Sequence, residues 1–383
     1  MKAYIRATPQ IVKLSPFLKW AGGKEQELKY ILPALPVFDH YYEPFVGGGA
    51  VFFSVKANKK FINDRSLELV DLYKMIAQNN RTFFQALDVL LDGWQDLSVF
   101  VDREANHLIK IYQVYSFDGC SEEVLESNLL NFIFSYQLEF RNMFERFFNK
   151  HTENFIVELK KNLFSKTKRM KKLEQQKWKM PESDIIANVE GALKSAFYMH
   201  IRYLYNKISK GEIPSDLAPV LFFFVRENAY AAMFRYNSKG EFNVPYGGIS
   251  YNRKDLMRKV AYMRSPELHY HFSDTIIENM DFEEFLLKYP PKADDFVFLD
   301  PPYDSEFSTY AQNKFTMGDQ RRLVNYLMRD CPAKFMVVIK NTPAIFKLYH
   351  QTGLNIRTFD KTYLVSFQDR NDRNAEHLLV TNY

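Results

Sequence analysis

The chain has 383 residues, 46% hydrophobic and 25% charged, which suits a folded protein with a large core and excludes a low-complexity or fibrous chain. Its net charge of +5 permits a polyanionic partner without demanding one. Two cysteines, Cys120 and Cys331, are too few for a disulfide framework or a zinc site. The polar stretch from Met1 to Gln10 is no signal peptide, and no apolar run approaches the roughly 18 residues of a membrane span. A cytoplasmic location is therefore expected, with no membrane and no metal.

Phe17-Leu18-Lys19-Trp20-Ala21-Gly22-Gly23-Lys24 reads as a two-glycine turn before a helix of about Lys24 to Leu32. Tyr41-Tyr42-Glu43-Pro44-Phe45-Val46-Gly47-Gly48-Gly49 and the apolar Ala50 to Val55 read as strand, glycine loop and helix. The glycines allow a tight bend and the close approach of a ligand, although such a triplet also closes ordinary βα turns. Phe61-Ile62-Asn63-Asp64 is a second strand ending in an acid, 17 residues past Gly47. Doubly wound nucleotide folds place a ribose-binding acid at an offset of ~20. The alternative is an N-cap for a helix over Leu67 to Asn79.

From about Arg81 to Pro214 the pattern is helical, with Leu129, Phe132, Ile133, Tyr136 and Phe140 at helical spacing as bundle core. A basic run from Lys160 to Lys179 is either a solvated face or a phosphate-tracking patch. Leu221 to Val225 reads as a strand, and Met233 to Gly248 as a hairpin turning at Asn237-Ser238-Lys239-Gly240. A projecting arginine such as Arg235 can fork onto a guanine edge. A helix over Arg253 to Tyr262 and a strand near Thr275 to Ile277 follow. Beyond Phe296 to Leu299 come a helix over Asp319 to Met328, a buried strand over Lys334 to Ile339, and an antiparallel pair, Thr362 to Phe367 with Glu376 to Thr381.

The strand Phe296 to Leu299 stops at Asp300-Pro301-Pro302-Tyr303. Neither proline can donate to a sheet ladder, so the chain leaves the sheet at Asp300. One carboxylate, one proline carbonyl and one aromatic face then stand on a stiff loop. Asp300 and the Pro301 carbonyl could each accept an N–H of a planar amine while Tyr303 stacks on its ring. A plain proline turn with a core tyrosine is the alternative.

Together these segments resemble the N6-adenine DNA methyltransferases of the alpha arrangement, the group that includes the Dam-type enzymes. Leu18 to Lys24 looks like the N-terminal cofactor motif, Glu43 to Gly49 like the glycine loop, Arg235 to Pro245 like the recognition hairpin, and Asp300 to Tyr303 like the catalytic motif. The order of the four carries the likeness, which is strong over about 15–75, 220–250 and 290–383 and weak between about 80 and 215. It implies an α/β fold: a Rossmann-like, seven-stranded catalytic domain over 1–80 and 264–383, with a mainly helical target-recognition domain and its hairpin inserted over 81–263.

The resemblance further implies S-adenosylmethionine as cofactor, contacted by Trp20, Lys24, Gly47, Gly49, Asp64 and Asp300, with the weaker transfer that Glu278 to Asp281 flank its adenine. It implies Asp300, Pro301 and Tyr303 as catalytic residues, Arg235, Asn237 and Lys239 as DNA contacts, and double-stranded DNA as substrate, with the target adenine flipped out. Family habit adds a cognate restriction endonuclease as functional partner. Ala231 stands where GATC-specific relatives carry asparagine, which departs from that target. Cytosine-N4 methylation is the neighbouring chemistry, but that group usually has serine at the place of Asp300. An enzyme acting on N6 of adenine in RNA would share the same motifs, but the hairpin, suited to reading a duplex, speaks against it. A catalytically inactive DNA-binding homologue would have lost the catalytic motif or the glycine loop, and both are intact.

Overall fold

Seven short stretches pair into one sheet: β1 (His40–Glu43), β2 (Lys59–Asn63), β3 (Thr275–Glu278), β4 (Phe296–Leu299), β5 (Lys334–Lys340), β6 (Asn355–Thr362) and β7 (Asn374–Thr381). Their order is β3-β2-β1-β4-β5-β7-β6. The first five run parallel; β7 is antiparallel to both β5 and β6. This is the expected mostly parallel α/β sheet. The computed structural model describes residues 14–20, 22–117, 120–144, 146–176, 179–302, 315–350, 352–362 and 374–383.

β4 is buried at all four residues, Phe296, Val297, Phe298 and Leu299. A strand covered on both faces has no polar side to alternate with, hence its unbroken apolar sequence. Tyr42, Phe61, Val297, Phe335 and Val337 pack on one side of the sheet with Phe285, Leu286, Leu323 and Leu327 from the helices Phe282–Lys288 and Met317–Arg329. The rings of Tyr42 and Phe61, neighbours in register across β1 and β2, stack 4.4 Å apart.

The chain divides into two compact units, one of Met1–Gln78 with Tyr262–Tyr383 and one of Asn79–Ala261. The second is helical for most of its length. Its longest helices are Arg81–Arg103, Thr152–Gln176 and Glu182–Ile208. Phe100, Phe132, Phe140, Phe144, Phe155 and Phe197 form its aromatic core, at most 2% exposed. Among the described residues no helix is long and apolar enough to cross a membrane.

Several local expectations change. Leu221 to Val225 lies in a helix, Ala218–Asn228, not a strand. Every residue from Pro219 to Asn228 is buried, so the apolar run carries no period, and Pro219 fits the first turn. The helix expected over Lys24 to Leu32 shrinks to Leu28–Ile31, followed by a 3-10 turn, Leu32–Ala34, at Pro33, which cannot donate to a continuing α-helix. The stretch after the glycine loop forms only the 3-10 turn Phe52–Ser54. The strand paired with β7 runs over Asn355–Thr362, earlier than expected; residues 363–367 lie outside the described residues. Ser66, not Asp64, caps the helix Leu67–Ala77, its side chain accepting from Leu69 N.

Candidate active site

In the strand order, β1 and β4 are neighbours whose chains continue to opposite sides of the sheet. Such a switch point opens a crevice beyond the carboxyl ends of the two strands, the usual ligand site of doubly wound folds. The loops after β1 and β4 carry the glycines and Asp300.

After Glu43 the strand cannot continue, because Pro44 has no donor and Gly47 and Gly49 take left-handed φ of 48° and 74°. Position 49 has no room for a side chain. A Cβ there would lie 2.6 Å from Tyr73 Oη and 2.9 Å from Phe53 Cε2. A Cβ at position 47 would lie 3.0 Å from Cδ1 of Trp20. Tyr73 Oη also donates to Gly47 O at 3.0 Å. An indole and a phenol thus brace the loop through contacts that only glycine permits.

Asp64 follows β2 directly. Its Oδ2 accepts from Gly47 N at 3.0 Å and its Oδ1 from Ser66 N at 2.9 Å. Burial pushes its carboxyl above the ordinary value, and the two backbone N–H groups pull it back in part. The neighbouring Glu278 to Asp281 stretch is tied down too: Glu278 accepts from Tyr289 Oη and Lys288 Nζ, and Asp281 caps the helix Phe282–Lys288 and takes Arg322 at 2.7 Å.

Asp300 leaves the end of β4 with its side chain 19% exposed. Lys24 Nζ lies 2.5 Å from Asp300 Oδ2 and also donates to Gly22 O at 2.9 Å. Pro301 is buried, and Pro302 O accepts from Gln320 Nε2 at 3.1 Å, which anchors the loop to the helix Met317–Arg329. Tyr303 lies outside the described residues. Trp20, Lys24, Glu43, Gly47, Gly49 and Asp300 line one cleft. Asp64 stands behind its wall, joined through Gly47.

Glu43 was not singled out from the sequence as a site residue, although it opens the glycine-loop motif. It is 2% exposed and accepts from Tyr41 Oη at 2.7 Å. Burial holds its carboxyl well above the usual range. Tyr73 gave no signal beyond its place on an apolar helix face.

In the helical unit, the segment Met233 to Gly248 is a looped hairpin with isolated bridges at Ala229–Tyr246 and Tyr236–Phe242 rather than two full strands. Asn206 grips its base twice, donating to Phe242 O at 3.0 Å and accepting from Phe242 N at 2.8 Å. Its turn is the expected Asn237 to Gly240, closed by Gly240 N to Asn237 O at 3.0 Å. Asn237 Oδ1 accepts from Lys239 N and Glu241 N, both at 2.9 Å, so this side chain builds the turn. Lys239 is exposed at the tip, and Arg235 is exposed with Nε donating to Asn243 Oδ1 at 3.2 Å.

The basic run lies mainly on the helix Thr152–Gln176, and much of it is paired: Lys160 with Glu126 and Lys168 with Glu122 at 2.6 Å each, and Lys171 with Tyr115 O at 2.7 Å. At the amino-terminal ends of β1 and β4, His40 Nδ1 lies 3.0 Å from Asp295 Oδ1, with Asp39 beside them. Asp295 also accepts from the backbone of His40 and Lys292, so it fastens two strand starts together. Burial pushes the Cys331 thiol up to about 11, so it is not a thiolate at neutral pH.

Comparison with known proteins agrees with this geometry. The family model described as D12 class N6 adenine-specific DNA methyltransferase matches residues 20–192 and 179–363. The chain is 25% identical over 379 residues to the type II methyltransferase M.CviBI of Paramecium bursaria Chlorella virus NC1A, an alignment that covers 97% of this chain and 100% of that one. It is 22% identical over 389 residues to the type II methyltransferase M1.LlaDCHI of Lactococcus lactis subsp. cremoris, covering 97% and 96% of the two. With the DNA adenine methylase of Escherichia coli strain K12 it shares 23% identity over 314 residues, 80% of this chain and 73% of the relative. An acid and two prolines at the end of β4, opposite a glycine loop at the sheet's switch point, therefore belong to a member of the D12 class N6 adenine-specific DNA methyltransferase family.

Proposed function

We propose that the methyl donor is S-adenosylmethionine and that the acceptor is N6 of an adenine flipped out of double-stranded DNA. The observation that carries this reading is the single cleft shared by Asp300, Lys24, Trp20 and the Gly47–Gly49 loop. The residues present fit the donor. A loop whose Cβ positions are closed to side chains offers bare backbone, and an acid beyond β2 stands at the offset where such folds hold a ribose. Trp20, Gly47, Gly49, Asp64 and Asp300 are the proposed donor contacts, with Lys24 in the same cleft, paired to Asp300. When bound, S-adenosylmethionine supplies a methyl group on a sulfonium, an activated electrophile.

The protein's task is then to make a poor nucleophile good. The N6 lone pair of adenine is delocalised into its ring. Accepting its two N–H groups on Asp300 and the Pro301 carbonyl favours a pyramidal nitrogen and stabilises positive charge developing there. Tyr303 stacks on the extruded base, returning part of the few kcal/mol, roughly, that flipping costs. Aligning N6 with the donor methyl supplies the remaining gain.

The unit Asn79–Ala261 is the proposed target-recognition domain, with Arg235, Asn237 and Lys239 on its hairpin. Arg235 is the proposed reader of base edges and Lys239 a phosphate contact. Three relatives are named type II methyltransferases, which supports a protective role beside a restriction endonuclease. A cytoplasmic location follows from acting on DNA. The test is Asp300→Ala, with tritiated methyl transfer to unmethylated genomic DNA and DNA binding measured in parallel. Transfer is expected to vanish while binding survives. Full transfer by the variant removes Asp300 from the mechanism.

A further inference from the structure

The ion pair of Lys24 and Asp300 joins two places 276 residues apart in the chain. Lys24 is 3% exposed, and its ammonium is directed by two acceptors, Gly22 O at 2.9 Å and Asp300 Oδ2 at 2.5 Å. An ammonium has three donors, so at least two are committed within the protein. On the other side, β4 and two prolines fix the backbone at Asp300, which leaves its side-chain torsions as the remaining local freedom. Lys24 removes that freedom. A carboxylate accepts in about four directions, so Lys24 on Oδ2 is compatible with an amino N–H arriving on the same group. Glu43 lines the same cleft, but burial raises its carboxyl well above the usual range and its Oε2 accepts from Tyr41 Oη.

We propose that Lys24 is a positioning residue for methyl transfer, which acts through Asp300 by fixing the orientation in which that carboxylate receives the substrate amine. The inference rests on the reading that Asp300 grips N6, and it separates Lys24 from the residues that only hold the donor. A displacement of ~1 Å at a reacting group costs on the order of 100-fold in rate, which sets the size of the effect.

The test compares wild type, Lys24→Met and Lys24→Arg. Rates are taken with S-adenosylmethionine and unmethylated genomic DNA, and donor affinity by calorimetry. K24M is expected to lower kcat by about 100-fold with donor affinity changed less than threefold. K24R is expected to recover at least about tenfold of that loss, since it restores the cation. A loss confined to donor affinity with kcat retained makes Lys24 a donor contact and overturns the proposal. If K24M does not fold, K24R decides alone: reduced kcat with intact donor affinity supports the proposal, and reduced donor affinity with intact kcat overturns it. Failure of the underlying reading is seen separately, as full transfer by Asp300→Ala with Lys24 intact.

Discussion

Asp64 Oδ2 accepts the backbone N–H of Gly47 at 3.0 Å, which ties the acid beyond β2 to the glycine loop beyond β1. Any role of Asp64 toward a ribose is therefore coupled to the shape of the loop.

Asp64→Ala removes the acceptor of two backbone donors, Gly47 N and Ser66 N. A loss of about 2–3 kcal/mol in unfolding free energy is expected, together with about tenfold weaker donor binding. Denaturant unfolding and calorimetry measure the two. Unchanged affinity with reduced stability would leave Asp64 a purely structural clamp.

Glu43 gives a pH signature. Burial raises its folded value well above that of an ordinary carboxyl, so between the two values the native chain keeps a proton that the unfolded chain has lost. Stability is then full below the unfolded value and falls as pH rises through the window, by about 1.4 kcal/mol per pH unit. Glu43→Gln keeps an acceptor for Tyr41 and does not titrate. Its Tm relative to wild type is expected to rise from pH 5 to pH 8. A difference that stays flat with pH would show that Glu43 does not carry the proton.

Gly49→Ala places a Cβ 2.6 Å from Tyr73 Oη at a residue with φ of 74°. Strain and overlap add, and a loss of about 2–4 kcal/mol is expected. Thermal melts of the variant measure it, and a loss below about 1 kcal/mol would mean that the phenol shifts freely.

The roles proposed for the hairpin residues can be told apart. Arg235→Ala is expected to relax discrimination by about 1–3 kcal/mol at one base position. Lys239→Ala is expected to weaken binding evenly across sequences and to reduce the salt slope by about one. Asn237→Ala, which frees two turn N–H groups, is expected to impair both. Competition binding over a salt series distinguishes the three; an Arg235→Ala loss that is uniform across sequences would make it a phosphate contact.

The parts of the site that local rules govern were legible in the sequence. Two prolines after Asp300 end β4, and glycines after Glu43 end β1, because backbone chemistry leaves no other course. The mostly parallel seven-stranded sheet was expected from the resemblance that the four motifs carry together. What depended on surroundings was not legible. Leu221 to Val225 is apolar on every side, so nothing in it separated strand from helix, and only the packing of Ala218–Asn228 decides. The Lys24 to Asp300 pair had no trace either, since ion pairs between distant segments leave no periodicity. That the amide oxygen of Asn237 builds the turn that presents Lys239 was not legible either.

The interruption between β2 and β3 has a consequence for synthesis. β2 needs β3 and β1 needs β4 as sheet partners, and both partners are encoded beyond Asn79–Ala261. At ~5–20 residues per second, a ribosome takes about 9–37 s to make the roughly 180 residues between. During that time Tyr41, Tyr42, Phe61 and Ile62, all buried in the finished protein, have emerged without the neighbours that cover them. The helical unit is complete before the sheet can close, so the nascent chain can finish Asn79–Ala261 first and the cleft-bearing sheet last.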